Sequence, residues 1–275
     1  MAAFAYASPI EKSWYYLHWL ICLAVLLFLI APILAIIPLS VNSVSFFTYP
    51  MSGLSLRWYE EILTDRWQGA LHKSLFIAVS VTLLSTALGT LAALGLSRPN
   101  FPWRKLVMSL LILPMVVPVV ITAVAVYFFY ADIGLLNSYT GLILAHTTLA
   151  TPFVVIAVSA TLVSFDYSLT RAAAGLGAPP ISVFFKIMLP LILPGMVSGA
   201  LFAFLASFDE VVVALFVASP EQRTLPMVMF SGIREQISPT IVAAATVLIL
   251  FSISMLSTVE LLRRRSQRLR GIRNT

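Results

Sequence analysis

Six long apolar runs separated by short polar segments dominate the 275-residue chain. They lie near 17–41, 71–96, 106–130, 141–163, 191–217 and 240–262. Each exceeds the ~20 residues an α-helix needs to cross the hydrocarbon core of a bilayer. In lipid every backbone N–H and C=O must find a partner within the protein, so a spanning run of this length is a helix. The pattern predicts an all-α membrane protein of about six transmembrane helices, a single domain over residues 1–275. The first run follows one lysine, Lys12, and shows no clear small-residue cleavage site, so it reads as a first span and not as a removed signal.

Between the fourth and fifth runs lies a different kind of stretch, LTRAAAGLGAPPISVFFKIMLPLILP, from Leu169 to Pro194. Arg171 and Lys186 make it a poor span, and glycines and prolines punctuate it. It predicts a helix–turn–helix. Asp166 is placed to cap the first helix with its carboxylate. That helix stops near Gly177, because glycine tolerates the left-handed conformation that ends helices. Pro180 suits the first turn of the second helix, where its missing N–H costs nothing. Leu189 precedes Pro190 and is biased out of the helical region, so the second helix is expected to end there. Ala172, Ala173 and Ala174 keep the first helix thin, while Phe184, Phe185, Ile187 and Met188 make the second adhesive. So structured a loop, over about 164–190, points to a partner that docks on it.

Other segments carry residues that plain spans avoid. Pro114 and Pro118 in the third run predict a kink or local unwinding, tolerated only where the freed carbonyls face protein or a water-filled path. His146 in the fourth run reads either as a hydrogen-bonded structural residue or as a substrate or gating residue. Gly195 and Gly199 in the fifth form a close-packing face. Asp209 and Glu210 follow in the same run, and burying carboxylates there is expensive. Neighbours on a helix point about 100° apart. One is therefore expected to line a path while the other makes a structural pair; the alternative is that either sits hydrated at the external membrane surface. Gly53 to Leu63, GLSLRWYEEIL, reads as an interfacial helix with aromatic anchors, with direct substrate contact as the other reading.

Charge sets the expected orientation. Only 10% of residues are charged, against 60% hydrophobic, which excludes an ordinary soluble domain. With the N-terminus inside, twelve lysines and arginines fall on inside segments and five outside, satisfying the positive-inside rule. Both termini and the 164–190 loop are thus expected in the cytoplasm. The basic tail, 263–275, directly follows a span and reads as a topology anchor against anionic lipid, not as a nucleic-acid site. One cysteine, Cys22, allows neither a disulfide framework nor a thiolate metal site. The sequence holds no phosphate-binding G-x-x-x-x-G-K-[ST] loop and no H-E-x-x-H or G-x-S-x-G motif, so an enzyme active site and a resident cofactor are unsupported.

The register Ala172-Ala173, Gly177, Ile187, Leu189-Pro190 resembles the coupling motif E-A-A, three residues, G, nine residues, I-x-L-P. That motif belongs to the membrane subunits of binding-protein-dependent, ATP-driven importers of the type I fold. Arg171 stands where the motif has Glu, which puts a transferred glutamate contact in doubt. The resemblance continues through Ser55-Leu56 and Tyr59, Pro114 and Pro118, residues 141–155, the SFDE of Ser207 to Glu210, Thr224-Leu225-Pro226 and Ser238-Pro239-Thr240. It is strongest to permeases for spermidine and putrescine. Many of those carry an acidic residue after the second proline, where Val119 stands here. The resemblance implies a coupling helix between spans four and five, with Arg171, Ala172, Ala173, Gly177, Ile187, Leu189 and Pro190 meeting an ATPase. It implies a substrate path near Pro114, Pro118, His146, Asp209 and Glu210. It also implies partners: ATPase subunits that bind the ATP, a second related permease forming a heterodimer, and an extracytoplasmic substrate-binding protein.

Two function classes follow. The first is the permease half of an ATP-driven importer in the inner membrane, for a polyamine or for another solute such as aminoethylphosphonate, thiamine or iron. The second is an ion-coupled secondary transporter, which usually has repeated halves and coupling-ion sites near mid-membrane. The docking loop favours the first, since a secondary carrier does not need one.

Overall fold

A computed structural model describes residues 8–45, 51–98, 101–235 and 238–269. Pro99 and Asn100 of the loop after the second run, Gln236 and Ile237, and the 270–275 end of the basic tail lie outside the described residues. Among the described residues, five helical stretches are long and apolar enough to cross a membrane: Pro9–Leu39, Asp65–Leu96, Tyr139–Val163, Pro180–Phe208 and Pro239–Ser257. A bent pair of shorter helices makes a sixth if the pair counts as one span. The chain divides into two compact units, residues 1–64 with 235–254, and residues 65–234 with 255–275.

The first unit holds α1 (Pro9–Leu39), α2 (Arg57–Ile62) and the start of the long helix from Pro239. Ser8 and Glu11 close a capping box on α1, with Pro9 in its first turn. The α2 segment departs from the interfacial reading. Trp58 is buried, and its indole N–H donates to the Asn42 carbonyl at 2.7 Å. The Tyr59 hydroxyl is 2.7 Å from the Ser40 hydroxyl, and the Thr240 hydroxyl donates to the Glu61 carboxylate. These rings face protein, so they do not act as lipid-interface anchors. Helix α2 is a clamp that ties the end of α1 to the Pro239 helix.

The second unit is built on α3 (Asp65–Leu96), α6 (Tyr139–Val163) and α9 (Leu189–Phe208), which pack against one another around Ile77, Val81, Val154, Val158 and Ile192. Small residues allow the approach. A side chain at Gly89 would meet Val154, one at Gly195 would meet Thr161, and one at Gly199 would lie 2.8 Å from the Val154 Cα. The hydroxyls on α3 serve similarly: Ser74 accepts from the Leu225 N–H at 2.8 Å.

Two apolar runs are broken, the third at its proline pair as expected and the fifth against expectation. The third divides into α4 (Arg104–Val116) and α5 (Val119–Ile133), bent by 102°. Val117 takes an extended ψ of 132° because the ring of Pro118 disfavours a helical residue before it. The fifth stops at Phe208 and resumes as α10 (Val212–Val217), so Asp209 and Glu210 lie in a break and the 100° helical argument does not apply. The two half-helices meet: α10 packs on α5, with Ala123, Tyr130, Val213 and Val217 between them. Helix α11 (Leu225–Glu235) and α12 (Pro239–Leu269) complete the chain after α7 and α8, described next.

Candidate functional site: a docking loop and an acidic break

Helix α7 (Ser168–Gly175) begins one residue later than expected. Tyr167 is its N-cap residue, and Asp166 acts from outside the helix. Its carboxylate accepts from the Ser168 backbone N–H at 2.8 Å and from the Ser168 hydroxyl at 2.7 Å. The Ser168 hydroxyl, the Ser168 N–H and the nearby Arg171 charge hold this carboxyl below the usual carboxylate range. The helix ends as Gly177 predicts. Gly177 has φ +81°, its N–H donates to the Ala174 carbonyl at 3.0 Å, and the Ala178 N–H reaches back to Ala173 at 3.1 Å. This double closure is a Schellman motif, which satisfies carbonyls that the helix end leaves free.

Helix α8 (Pro180–Val183) starts on Pro180 as expected, but it does not stop at Leu189. Residues Phe184–Met188 form one π-turn, in which the Leu189 N–H donates to the Phe184 carbonyl, and the chain runs straight into α9. Pro190 offers no N–H to the Lys186 carbonyl, and its ring crowds that group. Widening the preceding turn relieves both problems without ending the helix. The 164–190 loop is therefore the capped start of the helix through the fifth apolar run.

The loop sorts its residues by face. Arg171, Ala172, Gly177 and Pro190 are exposed, and Leu176 is 90% exposed with Ile181 beside it. Ala173, Ile187 and Leu189 are half-buried. Phe165, Phe184 and Met188 pack against the α3–α6–α9 core. The Tyr167 hydroxyl donates to the Ser97 hydroxyl at 2.8 Å, linking the loop to the end of α3. Sequence reasoning missed Tyr167 and Ser97; the available signal was a tyrosine set among small and apolar residues at the loop entrance.

The two carboxylates of the acidic break line one cleft but differ in exposure and bonding. Glu210 accepts from the Val213 N–H at 2.9 Å and so caps α10. Asp209 ends α9, is exposed, and opens into a cleft of about 320 Å³ lined also by Glu210, Phe153, Phe202, Leu205 and Ala206. The Phe153 and Phe202 rings stack with centroids 6.3 Å apart. Pro114, Pro118 and His146 do not line this cleft. His146 is 1% exposed, with Nδ1 3.1 Å from the Ser207 hydroxyl. It joins α6 to α9 two residues before the break, as a hydrogen-bonded residue inside the bundle.

The family model described as "binding-protein-dependent transport system inner membrane component" matches residues 85–268. The chain belongs to this family. The matched range holds the docking loop, the Pro114–Pro118 bend and the acidic break. This family member is 37% identical over 260 residues to the putrescine transport system permease protein PotI of Escherichia coli K12, covering 89% of this chain and 90% of that one. It is 34% identical over 235 residues to the spermidine/putrescine transport system permease protein PotC of Haemophilus influenzae, covering 84% and 91%. Among solved structures, a chain of a bacterial ABC transporter that imports the acidic polysaccharide alginate shares the fold. The TM-score is 0.69 at 17% identity, with 94% and 98% of the two chains covered. The protein is thus a multi-pass inner-membrane transport component with the type I permease fold, and these relatives are transport permease subunits.

Proposed function

We propose that this permease forms half of the membrane path of an ATP-driven importer for a small polyamine. The observation that carries the reading is the docking loop: small, exposed and apolar at its surface, closed by a left-handed glycine, and continuous with a span. Arg171, Ala172, Ala173 and Gly177 form the surface that meets a separate ATPase subunit, which binds the ATP. Ile187, Leu189 and Pro190 carry movement of that surface into α9. The loop and both termini face the cytoplasm. A second related permease completes the path as a heterodimer, and an extracytoplasmic binding protein delivers the solute. A solved bacterial alginate ABC transporter that shares the fold is in complex with an alginate pentasaccharide-bound periplasmic protein, which supports that partner. The lipid bilayer is the remaining partner, and nucleic acid has no role.

The polyamine reading rests on the PotI and PotC relatives and on the Asp209 cleft. An ammonium group leaving water is stabilised by a carboxylate and by an aromatic face. Asp209 and the Phe153–Phe202 stack, which line one cleft, provide both, while Glu210 at its edge holds the turn. Pro114 and Pro118 set the bend that lets α5 support α10, and His146 fastens α6 to α9. A second reading, the same importer class with another solute, is favoured by Val119, which puts an apolar residue at a position where the polyamine resemblance leads to an acid. The test is reconstitution in proteoliposomes with the ATPase, the second permease and the binding protein. ATP-dependent uptake of labelled putrescine or spermidine is expected. ATP hydrolysis stimulated by the binding protein without polyamine uptake would move the substrate to another class.

A further inference from the structure

The α4 helix carries a groove apart from the 164–190 loop and the acidic break. Arg104 and Lys105 open a groove of about 770 Å³, which continues along one face of the helix past Met108, Ser109, Ile112 and Val116. Among the described residues that line it, none is a carboxylate. Trp103, at the head of the helix, is 75% exposed, and Phe101 is exposed beside it. Aromatic residues beside basic ones mark the headgroup level of a membrane protein. From Lys105 to Val116 the helix rises roughly 16 Å. One leaflet of a bilayer with a ~30 Å hydrocarbon core is about the same depth. Two cations at the headgroup level, with an apolar trough one leaflet deep below them, match the shape and charge of a phospholipid.

The geometry points to a binding site for an anionic phospholipid on α4. The Arg104 guanidinium and the Lys105 ammonium hold the phosphate, the first through paired N–H donors and the second as a point charge. One acyl chain lies along Met108, Ile112 and Val116. A zwitterionic lipid fits the trough equally well, but its choline or ethanolamine cation falls beside two like charges. The headgroup must therefore be acidic. Basic pockets beside spans are known to take acidic headgroups. The occupied groove ends at Val116, directly before the Val117–Pro118 bend, so a bound lipid lies against the first arm of the broken span.

The experiment uses the full chain, purified with its transport partners and placed in nanodiscs of phosphatidylcholine alone or doped with phosphatidylglycerol. A phosphatidylglycerol probe with a photoreactive acyl chain is expected to label the wild-type peptide around Met108–Val116, and the matching phosphatidylcholine probe is not. Arg104→Gln with Lys105→Gln removes both charges. About 1 kcal/mol per cation converts to roughly 30-fold weaker retention of phosphatidylglycerol by native mass spectrometry. Ser109→Trp keeps both charges and fills the trough, and is expected to abolish the labelling. If Ser109→Trp labels and retains lipid as the wild type does, the attraction is a diffuse surface charge and the site is overturned. Labelling of the wild type spread evenly over all spans overturns it without any variant.

Discussion

At Gly177 the backbone alone decides the outcome of a substitution. The residue has φ +81°, and a Cβ there would meet nothing within 4 Å. Gly177→Val therefore costs left-handed strain of about 1–2 kcal/mol and no steric clash. Membrane insertion and expression are expected to match the wild type, while ATP-driven uptake falls because the Schellman turn and the docking surface change shape. Wild-type uptake by a normally inserted Gly177→Val protein would remove the loop from the coupling mechanism. The acidic pair calls for two different outcomes. Asp209 is exposed in its cleft, so Asp209→Asn is expected to lower polyamine uptake with thermal stability unchanged. Glu210→Ala removes the acceptor of the Val213 N–H and is expected to destabilise by about 1 kcal/mol, as lost caps do. The two losses separate in a thermal-unfolding assay run beside transport. Equal behaviour of the two variants in both assays would contradict the division of roles.

Among the elements, those that follow one dominant rule were legible and those set by two competing rules were not. Gly177 and Pro180 act locally, so the helix–turn–helix was readable from them. Pro190 was misread because the bias of Leu189 away from the helix competes with the continuing apolar run, and one π-turn at Phe184–Met188 reconciles them. Periodicity could not reveal the break at Asp209, since Val211 to Val217 remains as apolar as the helix before it. The Asp209–Glu210 pair was visible, but the cleft was not, because Phe153 and Phe202 come from different helices. Tyr167 shows the same limit: its partner Ser97 lies 70 residues away. Tyr167→Phe removes only that hydroxyl, worth about 1 kcal/mol of hydrogen bonding. Insertion is expected to be unchanged, and the ratio of ATP hydrolysed to solute moved is expected to rise as the loop loosens from α3. An unchanged ratio would leave Phe165, Phe184 and Met188 as the whole anchor. Gly199→Val is expected to do more harm, because its side chain meets the α6 backbone at Val154, which cannot rotate away. Overpacking costs typically 1–3 kcal/mol, and lower yield of folded protein from detergent extracts is the readout.

For the whole molecule, the bent pair α4–α5 decides the topology. If it crosses the membrane, the chain has six spans and the docking loop lies on the same side as the N-terminus. If the 102° bend returns it to the side it entered, there are five spans and the loop lies on the opposite side. Charge separates the cases. Arg98 precedes α4 and Arg104 and Lys105 open it, whereas residues 134–138, between α5 and α6, contain no lysine or arginine. A returning pair would also put Arg171 and Lys186 outside, against the positive-inside rule. The crossing is therefore expected, and it can be read with single cysteines. Cys22 is free and exposed, so Cys22→Ala gives a cysteine-free background. Leu63→Cys lies beyond α1, Leu176→Cys lies at the tip of the docking loop, and both positions are exposed. A membrane-impermeant maleimide should label Leu63→Cys in spheroplasts and Leu176→Cys only after the membrane is opened. Labelling of both in closed spheroplasts would mean that the pair returns. The loop would then face away from the ATP, and the coupling mechanism would fail with it.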